Sequence, residues 1–195
     1  ELIRYRMRNE RYVRRVAEAA LPTRYGEFRM IAYASDVDRE QHIALVRGDL
    51  AGAPPLVRVH SHCLTGDVFA STECDCHEII ERSLEAIVAE DRGVFVYLHH
   101  TGRGFGIDAA TPALGALPKI LYHSRNQLDK DIARQRMIQH ESGIGAQIMI
   151  DLGLKSLRVL TNHPRKVVAL EGYGLTITEQ VPVLAKSNKR THQTL

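Results

Sequence analysis

The 195-residue chain has no tryptophan, four phenylalanines, seven tyrosines and three cysteines. With aromatics at 6%, it lacks the array of flat side chains on which single-stranded nucleic acid stacks. A net charge of +3 is too small to coat a polyanion, although it favours a small anionic ligand. Lysine and arginine gather modestly at residues 4–15 and 187–190, read as a solvated face and a polar tail. No apolar run reaches the ~20 residues that a membrane-crossing helix needs, and no signal-type apolar stretch opens the chain. Neither nucleic acid nor a membrane is therefore expected as a partner, and a cytoplasmic setting is the expectation. An odd cysteine count, with two of the three one residue apart, argues against a disulfide framework. What remains is an apolar share of 44% and a charged share of 25%, a composition that folds. The charged opening ELIRYRMRNERYVRRV, with no initiating methionine, reads as a segment of a longer polypeptide.

Residues 5–19 read as a helix, because Val13, Val16 and Ala20 recur at helical spacing until Pro22. FRMIAYA, HIALVRG and LVRVHS read as strands between Phe28 and Ser61, with GAPP at 52–55 separating the last two. HEIIERSLEAIVAE (77–90) is the clearest amphipathic helix, with Ile80, Leu84, Ile87 and Val88 on one face. After Gly93, VFVYLHH is a buried strand leading into a glycine-rich turn. Residues 108–135, with Pro112 and Pro118, read as an irregular excursion. GAQIMIDLGL is then helical, SLRVLTN a strand, PRKVVALEGYG a short helix stopped by Gly172, and LTITEQVPV a last strand. This alternation predicts an α/β (α+β) fold, a mixed sheet core with flanking helices. The domain is expected over 21–184, after an N-terminal helix or junction over 1–20 and before a polar tail over 185–195.

Chemistry concentrates at Cys63, Cys74 and Cys76, spaced C-x10-C-x-C. Three soft thiolates suit zinc and leave one tetrahedral position open, the arrangement by which a hydrolytic zinc activates water. If the chain between Cys74 and Cys76 is extended, alternation points both sulfurs the same way. The helix that follows places the Asp75–Cys76 turn at its positive end, which together with a metal favours the ionised thiol. Two alternatives stand beside this reading. One is three unrelated buried cysteines; the other is a closed structural site in which His62 or His77 supplies the fourth ligand.

Beyond the VFVYLHH strand, TGRGFG (101–106) offers backbone N–H groups and the Arg103 fork to an anion. Arg58 and Lys166 can complete a cationic cluster if the fold brings them together; otherwise each is an ordinary surface charge.

RVHSHCLTGDVFASTECDC (58–76) resembles the zinc segment of GTP cyclohydrolase II, which typically reads RVHSECLTGD and then CDCG. The resemblance continues through GRGFG (102–106), GIGAQIMIDLGL (143–154), LTNHPRK (160–166) and GYGL (172–175). It implies the fold of that family and a homodimer. It also implies zinc on Cys63, Cys74 and Cys76, with Mg2+ accompanying a nucleotide. The implied reaction opens GTP with loss of formate and pyrophosphate, giving a diaminopyrimidine precursor of riboflavin. By the same resemblance Arg58, Val59, His60, Ser61, His62, Gly102, Arg103 and Lys166 contact phosphate, and Thr161 contacts the nucleotide. The opening segment is similar to the junction after a 3,4-dihydroxy-2-butanone-4-phosphate synthase domain, implying a fused synthase as partner.

The family's D-x-R motif before GIGAQI supplies a base and a nucleophile; here those positions hold Ile138 and His140. A family Glu is Thr101, a family Gln aligns with Ile79, and a family Tyr falls near Leu114. Isoleucine takes no proton, and losing one general base costs roughly 10²–10⁴-fold in rate. The expectation is a domain that keeps zinc and phosphate motifs, has lost or reduced GTP ring opening, and supports a fused synthase. His140 is a candidate for a substitute catalytic or ligating role. The alternative is an active GTP cyclohydrolase II.

Overall fold

The computed structural model describes residues 11–36, 40–99, 106–107, 120–121, 132–162 and 170–183, with backbone alone for 106–107, 120–121 and 132–141. The chain enters as a hairpin. Strand β1 (Val13–Thr23) pairs antiparallel with β2 (Gly26–Ser35), from Val13↔Ser35 to Thr23↔Gly26. At the turn, the Thr23 hydroxyl donates to the Gly26 carbonyl at 2.7 Å and accepts the Tyr25 N–H at 3.2 Å, while Gly26 takes φ +143°.

This corrects the helix expected over 5–19 wherever that stretch is described, and the boundary expected after residue 20 falls inside β1. Val16, placed above at helical spacing with Val13 and Ala20, sits at a register shift between Arg15 and Ala17 and is 48% exposed. Helical spacing of three small apolar side chains is a weak local preference, and a long backbone ladder with β2 overrides it. Pro22 does not interrupt the strand because β1 is the sheet edge, where a missing N–H is tolerated.

The remaining elements are β3 (Gln41–Arg47), β4 (Leu56–Ser61), α1 (Leu64–Asp67), α2 (Cys76–Ala89), β5 (Gly93–Leu98), β6 (Gly106–Ile107), β7 (Ile120–Leu121), α3 (Ile132–Asp151), β8 (Ser156–Leu160) and β9 (Thr176–Val181). Nine of the described strands form two sheets: one in the order β1-β2-β3-β5-β4-β8-β9, the other the short ribbon β6-β7. The large sheet is antiparallel from β1 to β5 and parallel across β5, β4, β8 and β9. A mixed α/β sheet, as expected, is the result.

The strands read out above thus recur as β2, β3, β4, β5, β8 and β9, and the amphipathic helix as α2. Of the helix expected over 164–174, Leu170–Glu171 is described; it ends at Glu171, so the stop at Gly172 stands, and a turn carries the chain to Gly174 (φ +89°). The 185–195 tail and most of 108–135 lie outside the described residues.

Each parallel strand alternates its side chains between two apolar layers. Val57, Val94, Val96, Leu157 and Val159 pack with Ile144, Ala146, Ile148 and Met149 of α3. Leu56, Phe95 and Leu160 pack with Leu84 and Ile87 of α2. Sandwiching one sheet between helices hides both of its faces, which is why these strands read as continuous apolar runs. The chain leaves β4 through α2 to β5 on one side, crosses back through α3 to β8, and continues to β9 on the other. Connections departing from β4 and β8 in opposite directions open a crevice at the carboxyl ends of those strands, the usual ligand position in such sheets.

Candidate metal centre and anion site

The candidate residues lie at that crevice. β4 carries Arg58, Val59, His60 and Ser61 and runs directly into His62 and Cys63; β8 ends at Leu160 and runs into Thr161. Cys63 precedes α1 and Cys76 is the first residue of α2, so the loop between the helices folds Cys74 back onto them. The Cys63, Cys74 and Cys76 sulfurs lie within 4.8 Å of one another, with Cys63 Sγ and Cys74 Sγ 3.9 Å apart.

The means differs from the expected extended Cys-x-Cys. Asp75 has φ −92° and ψ 11°, so a tight turn, not strand alternation, brings the sulfurs together. Gly66 leaves the cradle open: a Cβ there would stand 2.6 Å from Cys74 Sγ and 3.2 Å from Cys63 Sγ. The alternative of three unrelated cysteines does not survive this convergence.

The electrostatics fit a cation. Burial pushes the Cys76 thiol well above its ordinary range, and repulsion from Cys74 and Cys63 adds to the shift. Burial also raises Cys74, outweighing the Cys76 amide that favours its thiolate. The helix end alone therefore does not ionise these groups. A divalent ion would, because it replaces the lost hydration and neutralises the mutual repulsion.

The two histidines considered as fourth ligands are engaged elsewhere. His62 Nδ1 meets the Tyr97 hydroxyl at 2.6 Å, while His77 lies 3.4 Å from the Asp67 carbonyl through Nδ1 and 3.6 Å from Glu81 through Nε2. Among the described residues, no histidine joins all three sulfurs within 4.8 Å; the second such grouping is His60, Asp67 and Cys76.

Asp67 is the residue that sequence reasoning missed. Its Oδ2 accepts the Cys63 N–H at 2.8 Å and the Tyr97 hydroxyl at 2.7 Å, and its Oδ1 meets His60 Nε2 at 2.9 Å. Burial would raise its pKa, but the hydrogen bond and charge interaction with His60 and the donors at Cys63 and Tyr97 outweigh burial and hold it below the ordinary carboxylate range. An ionised carboxylate accepts and does not donate, so His60 carries its proton on Nε2. Tyr97, whose one proton goes to Asp67, accepts from His62 Nδ1–H by the same logic. Neither Asp67 nor Tyr97 stood out in the sequence, although His60 and Tyr97 are register partners across β4 and β5, and their rings stack at 5.7 Å.

On the other side of the crevice, Arg58 is largely buried and donates through Nη1 to the Leu160 carbonyl at 3.0 Å, one residue before Thr161. Burial lowers its pKa to about 10, partly offset by the Cys76 sulfur. Its Nε has no hydrogen-bond partner among the described residues. Arg58 and Thr161 are thus brought together beside the cysteines. Thr161 is 8% exposed, and its N–H is spent on the Val181 carbonyl at 2.9 Å.

Gly102, Arg103, Lys166, Thr101 and Leu114 lie outside the described residues. Ile138 and His140 fall within α3, and their side chains lie outside them too. Ile79 packs against the apolar cluster beneath α2.

Comparison with known proteins agrees with this geometry. The GTP cyclohydrolase II family model matches residues 14–182. The chain is 42% identical over 200 residues to the riboflavin biosynthesis protein RibBA of Rhodococcus erythropolis, covering 96% of this chain and 45% of that protein. It is 43% identical over 204 residues to RibBA of Mycobacterium tuberculosis, again covering 96% and 45%. The chain therefore spans less than half the length of these curated relatives. Among solved structures it is similar to RibBX, a two-domain 3,4-dihydroxy-2-butanone 4-phosphate synthase from A. baumannii. That similarity has 26% identity and a TM-score of 0.57 over 94% of this chain and 44% of that one. With most of its length matched and its cysteines converging at the crevice, the chain belongs to the GTP cyclohydrolase II family.

Proposed function

We propose that this domain holds zinc through Cys63, Cys74 and Cys76, binds a purine nucleotide such as GTP, and has lost or reduced the family's ring-opening activity. Its remaining role is then to support a fused 3,4-dihydroxy-2-butanone-4-phosphate synthase, as part of a homodimer in the cytoplasm. The observation that carries the reading is a contrast within one site: three sulfurs converge at the crevice, while the positions for proton handling hold Ile138 and His140 and the Gln position holds Ile79, packed against the α2 cluster. Zinc held by three thiolates supplies Lewis-acid activation of water.

The chain's own contribution is recognition. Arg58, desolvated beside Thr161, offers a strong charge-assisted donor to a phosphate entering between β4 and β8. Mg2+ would accompany that phosphate, and Gly102, Arg103 and Lys166 are proposed to share it. His60 and His62, both tied to the Asp67–Tyr97 pair, orient the wall of the pocket. The similarity to RibBX, named for synthase activity over two domains, favours the supporting role.

The same cysteine cradle, together with 42–43% identity to RibBA proteins, favours a second reading, in which the domain is an active GTP cyclohydrolase II. A formate-release assay on GTP with zinc and magnesium separates them. The first reading expects a rate roughly 10²–10⁴-fold below that of a family member with the Asp and Arg in place. A comparable rate, abolished by Cys74→Ser, establishes the second.

A further inference from the structure

We propose that Asp67 is the positioning residue of the cysteine site, setting the affinity and geometry with which the three sulfurs take their ion. This rests on the zinc reading above and adds to it a residue outside the ligand set.

The clamp has two jaws. Asp67 N–H donates to the Cys63 carbonyl at 2.7 Å, and its Oδ2 accepts the Cys63 N–H at 2.8 Å, so both backbone groups of the first ligand are held by one residue four positions on. The same carboxylate then reaches across to β4 through His60 and to β5 through Tyr97, which carries His62. One side chain thereby fixes the start of α1 to two central strands. Asp67 belongs to the group whose ligating atoms lie within 4.8 Å of Cys76, so it also faces the third sulfur. Its side chain is 5% exposed and that of His60 4%.

A carboxylate is required chemically. Oδ2 accepts two hydrogen bonds and Oδ1 a third, and an amide in its place would present N–H either to the Cys63 N–H and Tyr97 hydroxyl or to His60 Nε2, which accepts only in the other tautomer. Shape would survive; the acceptor count would not. A loosened Cys63 backbone lets its sulfur wander, and partners that orient ligands in this way typically contribute 10–100-fold in metal affinity.

The test is cobalt(II) titration of the metal-free protein, wild type against Asp67→Asn and Tyr97→Phe. Thiolate-to-cobalt absorption counts sulfurs, visible d–d bands report the geometry around the ion, and zinc competition gives Kd. The expected result is one equivalent bound by wild type, Kd weakened 10–100-fold in Asp67→Asn with displaced d–d bands, and a smaller change in the same direction in Tyr97→Phe, which removes one of the three donors. If wild type shows no thiolate–cobalt absorption, the zinc reading itself fails. If wild type binds and Asp67→Asn matches it in Kd and spectrum, zinc stands and the positioning role is overturned. Should Asp67→Asn not fold, an unchanged Kd in Tyr97→Phe overturns the role equally.

Discussion

Two regions packed against the parallel strands are held together by opposite means. At the carboxyl end of β4, order comes from buried polarity: one carboxylate, two imidazoles and a phenol hydrogen-bonded around three sulfurs. Along α3, order comes from close packing joined by hydrogen bonds to the entering strand. A Cβ at Gly145 would lie 3.3 Å from Val59 Cγ1, and one at Gly143 2.4 Å from the hydroxyls of both Tyr12 and Tyr173. One turn later, Gln147 Oε1 accepts the N–H groups of Tyr12 (3.1 Å) and Val13 (3.2 Å), and after another, Asp151 Oδ2 accepts Arg15 Nη2 (2.8 Å) and the Tyr33 hydroxyl (2.9 Å). Positions 143, 147 and 151 form a single helix row that seats the entering strand. A buried polar network is a poor source of stability, which points to a ligand as its use, whereas a seam of this kind serves the fold. The difference assigns function to one region and architecture to the other, and it can be attacked from both sides.

The largest effect is expected where a methyl enters the cradle. Gly66→Ala places a Cβ 2.6 Å from Cys74 Sγ and 2.7 Å from Cys76 Cβ. Neither sulfur-bearing segment can retreat without spreading the ligand set. Metal affinity is expected to fall on the order of 100-fold, beyond the loss of about 1–3 kcal/mol in metal-free stability that the overpacking itself brings. A collapse of metal-free stability with normal metal binding would reverse the assignment of this end.

Next in size is the seam. Gly143→Ala drives a methyl between the hydroxyls of half-buried Tyr12 and buried Tyr173, which hydrogen-bond each other, and overpacking of this kind costs about 1–3 kcal/mol. Denaturant unfolding should register the loss, and zinc competition should not change. A weakened zinc site in this variant would mean that α3 and the cysteine end are one cooperative unit.

The cysteine triad was legible from sequence because three thiols in 14 residues, an odd number, fit no disulfide framework, and a C-x-C pair places two of them close in any local conformation. The strands and α2 were legible through their periodicity and glycine punctuation. β1 was not, since alanine and valine at positions 13, 16, 17, 19 and 20 satisfy a helical and an extended pattern alike, and the deciding partner, β2, is a non-local fact. Asp67 was legible in principle, as an acid four residues beyond Cys63 can return to cap its N–H. Its meaning depends on Tyr97, which reaches it through sheet register thirty residues away. The 143–147–151 row was written at helical spacing, yet Gly143 reads as a helix weakener until Tyr12 and Tyr173 are known to press on it.

A pH experiment sharpens the comparison further. Tyr33 is raised above its ordinary range first by burial and then by the hydrogen bond it gives to Asp151. Tyr12 is raised by burial and by its bond with Tyr173, and Tyr173 by burial against the opposing effect of that bond. A folded pKa above the unfolded one means that the stabilisation is complete below the unfolded value of about 10 and is lost as pH climbs beyond it. Unfolding free energy should therefore be flat from neutrality to about pH 9 as far as these groups are concerned and fall above about pH 10. Tyr33→Phe removes one titrating group, so its alkaline limb should be shallower than that of wild type.

The smallest effect tests whether charge contributes anything to the seam. Arg15 donates to Asp151 through Nε at 3.1 Å and Nη2 at 2.8 Å and also pairs with Glu18. Such a fork would be strong if dry, but both Arg15 and Asp151 side chains are 35% exposed. Water and salt screen the attraction, and ordering a long arginine consumes much of what is left, so Arg15→Gln should cost about 0.2–1 kcal/mol and less in high salt. The Tyr33 hydroxyl keeps Asp151 as its acceptor in that variant, leaving no buried donor stranded. A loss above about 2 kcal/mol, insensitive to salt, would mean that the fork behaves as a buried charge pair. The seam would then resemble the cysteine end in kind, and the division between a polar functional end and a packed architectural one would no longer hold.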